Sequence, residues 1–141
     1  MNVEQRERFD VLLDQVLEEL PEGLHDLLQE KPLVVEDHPP DALMVELGIP
    51  LECRNEICGL HSGPMMNERS NEGGGPEDIA VIHLFREGVV EIAGGWAEWE
   101  EAGRIHGGET EIINQIRITV LHEIGHHFGM DEDDLERLGY A

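Results

Sequence analysis

Positive charge is what this sequence has least of. Lys31 is its one lysine, and 9 Lys and Arg together face 32 Asp and Glu, giving a formal net charge of −23 at pH 7 over 141 residues. A surface with that field repels phosphate backbones, which excludes nucleic acid as a partner and leaves a solvated acidic exterior. Long hydrophobic runs are missing as well. No stretch approaches the ~20 apolar residues that span a bilayer. The opening "MNVEQRERFDVLLDQ" has neither the unbroken apolar segment nor the small-residue cleavage site of a signal peptide. The expectation is a cytoplasmic protein without membrane association. Cysteine is scarce too. Cys53 and Cys58, in "CRNEIC", have no second pair with which to close a thiolate zinc site, so reduced thiols are expected. No internal repeat is visible.

Apolar residues, in contrast, are spread along the whole chain and make up 40% of it. That is enough for one modest core, and the length fits a single domain over residues 1–141. Phe9, Leu12, Leu13, Val16, Leu17 and Leu20 recur at helical spacing until Pro21 stops them. "PLVVED" reads as a short strand. Asp41 is placed to cap a helix through "ALMVELG" that Gly48 ends. "EICGL" reads as a second strand. Residues 61 to 78 form a long glycine- and proline-rich loop, of the kind that either shields a cleft or merely connects. "DIAVIHLF", residues 78 to 85, is the clearest strand. A short helix over 87 to 93 follows, then a glycine break and a helical piece carrying Trp96 and Trp99, both expected to pack in the core or a lid.

From Glu109 to Phe128 the pattern is helical, with Ile113, Ile116, Val120, Ile124 and Phe128 as the apolar stripe and Gly129 as the stop. On this helix lies "LHEIGHHFGMDEDD". Setting His122 at zero and advancing ~100° per residue puts His126 at ~40°, so both imidazoles leave one face a turn apart. Histidines at that spacing supply two corners of a tetrahedral zinc site. Glu123 falls at ~100°, beside the pair, where a carboxylate reaches a water on the metal without binding the metal itself. Gly129 turns the chain back, and Glu132 then occupies the third-ligand slot of the extended H-E-x-x-H-x-x-G-x-x-H pattern, with Asp131 as the alternative. Asp133 and Asp134 suit the start of a closing helix. His127, at ~140°, belongs to the packed side and cannot share that metal. Gly125 marks either a close neighbour or chance. His61 and His83 are candidates to approach the site and stabilise an oxyanion, Tyr140 is a terminal anchor or hydroxyl donor, and Arg117 pairs with an acid.

"QIRITVLHEIGHHFGMDEDDLERLGY" resembles the C-terminal end of the small bacterial zincin-like metallopeptidases, minimal relatives of the metzincin-type zinc proteases. The likeness extends upstream through "IAVIHLFRE", Gly59–Leu60 and "LVVEDHPPD", about 100 residues in all. It implies an α+β fold with a small mixed sheet packed against the H-E-x-x-H helix. It also implies zinc on His122 and His126, Glu123 as general base, and acids where Asp131 and Glu132 stand. No Met-turn follows the motif, and Met130 stands too early to serve as one.

The leading expectation is a zinc-dependent peptidase acting on a peptide or protein, with the strand 78–85 offering its edge to an extended substrate. The alternatives are a zinc-stabilised binding or regulatory module without hydrolysis, and a metal-free acidic adaptor. Nothing in the sequence fixes the oligomeric state.

Overall fold

A computed structural model describes residues 1–30, 33–62 and 81–138. The chain opens with α1 (Val3–Glu19), whose Asn2 accepts from the Gln5 amide while the Gln5 side chain accepts from the Asn2 amide, a reciprocal cap. Phe9, Leu12, Leu13 and Val16 form its buried face, as their spacing dictates. After Pro21 the chain re-enters helix at once as α2 (Glu22–Glu30), whose Leu24, Leu27 and Leu28 lean on the core. The sequence reading has no helix there; these leucines also sit at helical spacing, and the proline is a first-turn residue as readily as a stop.

Strand β1 (Leu33–Glu36) follows, then α3 (Asp41–Leu47). Asp41 is not the cap. It is the first helical residue, Pro40 holds the cap position without a side-chain bond, and Gly48 closes the helix at φ 72°. A 3-10 turn over Leu51–Glu56 leads into β2 (Gly59–Ser62), two to three residues later than "EICGL" suggests. Within the anticipated loop, His61 and Ser62 belong to β2, and the remainder lies outside the described residues.

Strand β3 (Val81–Phe85) runs directly into α4 (Arg86–Ala93). Next come β4 (Trp99–Glu101) and β5 (Arg104–His106), an antiparallel hairpin. The expected helical piece around Trp96 and Trp99 is therefore wrong. Gly94 and Gly95, at φ 107° and 98°, end α4, and Ala102–Gly103, both at positive φ, make the tight hairpin turn. An alanine at that position hides the turn from a sequence reading. Trp96 packs against the core, whereas Trp99 is 45% exposed and donates its indole N–H to the Gly94 carbonyl.

The long helix α5 (Gly108–His127) and the short α6 (Glu132–Leu138) complete the chain. The sheet order is β1-β3-β2, with β1 parallel and β2 antiparallel to β3, so the sheet is mixed as expected. β3, the described part of the strand expected over 78–85, is its centre and is paired on both sides, so it has no free edge to offer. Ile82 and Leu84 of β3 meet Ile112, Ile116, Val120 and Ile124 of α5 in the main core, joined by the α1 residues and by Val89, Val90 and Ala93 of α4. The stripe therefore runs through Ile112; Ile113 is only half-buried, and Phe128, the C-cap of α5, is 42% exposed. No helix among the described residues is long and apolar enough to cross a membrane.

Candidate metal centre and active site

The last two turns of α5 carry the site. His122 and His126 leave the same face with their Nε2 atoms 3.0 Å apart and their rings nearly perpendicular, at 77°. After His127 the helix closes through Phe128 and Gly129 (φ 85°), whose amide donates to the His126 carbonyl at 2.9 Å. That turn does two things. It brings the Met130 carbonyl 3.1 Å from His126 Nδ1, so this nitrogen carries the proton and Nε2 presents a lone pair. It also sets Glu132 at the start of α6, with Oε1 2.9 Å from His126 Nε2 and 3.3 Å from His122 Nε2.

Asp131 has a different task. Its carboxylate accepts from the Asp134 amide at 2.8 Å, and Asp134 returns the bond to the Asp131 amide at 3.1 Å, a reciprocal cap on α6. The structure thus brings Glu132, not Asp131, to the two imidazoles, and these three form a group able to hold a metal ion. The donor chemistry fits zinc. Tetrahedral ligands at about 2.0–2.1 Å lie about 3.3 Å from one another, and the separations here are 2.9, 3.0 and 3.3 Å.

Glu123 sits beside the pair, as its helical angle predicts, and is 8% exposed. Burial raises the proton affinity of its carboxyl, opposed by the charge of His122 and His126 when they are protonated and by a hydrogen bond from the His61 backbone amide. Strand β2 lies across this part of α5. A Cβ on Gly59 would stand 2.8 Å from Thr119 Cγ2, 2.9 Å from the His83 carbonyl and 3.2 Å from Glu123 Cγ, so only glycine allows so close an approach. Thr119 is buried in the same contact and accepts from Gln115 Nε2 at 3.2 Å. Cys58 also bonds to Thr119; burial, reinforced by the nearby Glu123 charge, pushes its thiol up to about 11, which keeps it protonated.

Among the described residues two hollows flank the base. One of about 360 Å³ is lined by Leu60, His61, His122, Glu123, His126 and Glu132. The other, about 420 Å³, shares His122 and Glu123 and is walled by Ile57, Cys58, Ile92, Ile118 and Thr119, with Glu56, Gly59 and Gln115 completing its lining.

The remaining candidates divide cleanly. His61 is at the site, in β2. His83 alternates to the other face of the sheet, away from the metal-ligand group, where its Nδ1 lies 3.8 Å from Glu36 Oε1. His127 is buried at 1% exposure and meets His61 rather than the donor group. Gly125 is buried in the same helix. Arg117 does pair with an acid, Glu19, at 2.7 Å. Tyr140 lies outside the described residues. The sequence reading names Gly59 only within the family resemblance and assigns it no role, and Thr119, which a helical wheel places one turn before Glu123, goes unnoticed in it.

No curated protein matches the chain. A family profile described as zincin-like metallopeptidase matches residues 28–140, a span that holds the sheet, the H-E-x-x-H helix and the acidic turn after it. On that match, the chain belongs to the zincin-like metallopeptidase family.

Proposed function

We propose that this protein is a zinc peptidase in which His122, His126 and Glu132 hold the ion and Glu123 is the general base. The observation that carries the reading is the convergence of three donor atoms within 3.3 Å of one another beside a buried carboxylate that lines the same hollow. Bound there, zinc supplies Lewis-acid polarisation of a carbonyl and acidification of water. The rest falls to the chain's own side chains. Glu123, on the residue after the first histidine, takes a proton from the attacking water on its carboxylate and returns it to the departing amine. Its burial excludes bulk solvent from that exchange.

Peptide binding follows from the sheet. Among the described residues β2, not β3, is the edge strand beside the site, so an extended substrate can pair along Gly59–Ser62 at backbone groups other than the His61 amide, which Glu123 holds. The isoleucine-walled hollow next to Glu123 suits an apolar side chain flanking the scissile bond.

Glu123→Gln is expected to keep one zinc per chain, measured by atomic emission on protein purified without chelators, and to lose peptide hydrolysis. Full turnover by that variant removes Glu123 from the chemistry. A zinc-stabilised module without catalysis, the competing reading, predicts a closed set of four protein donors by X-ray absorption, whereas the peptidase keeps a solvent ligand.

A further inference from the structure

Thr119, Glu123 and His127 are the buried polar or charged residues among the described ones, and they stand four residues apart on α5. Residues at that spacing form one line along a helix. Strand β2 lies on this line. Gly59 rests over Thr119 and Glu123, and two residues later His61, on the same strand face, reaches Glu123 with its backbone and His127 with its ring. The ring contact joins His61 Nε2 and His127 Nδ1 at 3.3 Å, with centroids 5.4 Å apart and planes at 51°, and it closes over 66 residues of sequence.

Burying an imidazole costs free energy unless its polar atoms are satisfied. His127 lies one residue out of phase with the aliphatic line of α5 and meets the His61 ring, so its burial is matched to a polar contact rather than to the core. We propose that His127 is a positioning residue: by holding the His61 ring it fixes the register and height of β2 on α5, and so keeps the His61 amide on the Glu123 carboxylate. Glu123 is thereby held in one rotamer, beside the metal-ligand group and turned toward the cavity rather than swinging freely. This gives His61 a task through its backbone instead of through oxyanion stabilisation by its ring. The inference rests on Glu123 being the base, but its geometric content stands apart from turnover.

The test uses the full chain, zinc-free and zinc-loaded, with His127→Leu and His127→Asn; the asparagine keeps a polar atom near the Nδ1 position. The first readout is the amide proton shift of His61 by NMR, which a hydrogen bond to a carboxylate moves downfield and which Glu123→Gln calibrates. His127→Leu is expected to move this resonance upfield toward the Glu123→Gln value, and His127→Asn to restore part of the shift. The second readout is kinetic. His127→Leu is expected to lower kcat about 10- to 100-fold, the scale at which a displaced catalytic group tells, with KM and zinc affinity within about twofold of the parent. His61→Ala, at a half-buried strand position, must reproduce both effects and serves if His127→Leu does not fold. A position-61 amide that keeps its downfield offset from the random-coil value of the residue present, in folded His127→Leu or His61→Ala, overturns the proposal. So does a loss of kcat that tracks loss of zinc or that His127→Asn fails to relieve. If no variant, the parent included, cleaves peptides, the peptidase reading fails while the amide shift still decides the clamp.

Discussion

Two lines of residues run side by side along α5, and they have different purposes. Ile112, Ile116, Val120 and Ile124 form an aliphatic line against α1, α4 and β3. Gln115, Thr119, Glu123 and His127 form a polar line, one residue out of phase, that is covered by β2 where it reaches the histidines. The first is non-directional burial and tolerates repacking. The second consists of directional contacts in which each atom must be met. A helix that carries both is anchored by one neighbour and aimed by the other.

The sharpest way to separate the lines is to damage each alone. Ile116→Ala, at a position with 0% exposure, is expected to cost about 2–5 kcal/mol of stability by the cavity it leaves. Zinc affinity per folded molecule should hardly change. Urea denaturation followed by zinc titration below the transition checks both halves, and an unaltered denaturation midpoint would remove Ile116 from the core. Gly59→Ala tests the polar line. The added methyl meets Thr119 Cγ2 and the backbone carbonyl of His83. It should cost about 1–3 kcal/mol, as overpacking does, and lift β2 off Glu123. Hydrolysis is expected to fall further than stability alone explains, and equal activity per folded molecule would argue against a close strand.

The smallest effect lies outside both lines. Arg86 bonds Asp10 and Asp37, each through contacts of 3.1 Å, and joins β3–α4 to α1 and the end of β1. Burial works against the Asp37 carboxylate, yet bonds and charges from Arg6 and Arg86 hold its pKa below the ordinary value. A carboxylate depressed on folding stabilises the native state above its unfolded pKa of about 3.9 and loses that contribution as pH falls through the lower folded value. Arg86→Met should therefore cost about 1–2 kcal/mol near neutrality, on the scale of charged hydrogen bonds. The difference from the parent should narrow below about pH 4. A gap that stays constant into acid would assign the loss to packing of the arginine stem instead.

How far the sequence could be read depended on the range of the contacts. The helices α1, α3, α4 and α5 and the strands β1 and β3 are written in spacing and in punctuation by proline and glycine. The hairpin β4–β5 is not legible in the sequence because Ala102 takes a positive φ that alanine seldom adopts. The β-branched run of β3 is the stronger strand signal and so points to it as the edge for substrate, whereas strength of signal goes with a central, buried place in the sheet.

Helix geometry alone determined that His122 and His126 share a face with Glu123 beside them, because a regular backbone fixes the relative directions of residues four apart whatever surrounds them. The tertiary structure decided which acid faces the imidazoles and what lies over the base. Asp131 and Glu132 are neighbours in sequence, and only the turn at Gly129 and the cap on α6 send one inward and spend the other on the Asp134 backbone amide. His61 and His127 are 66 residues apart, and only the mixed sheet brings them together.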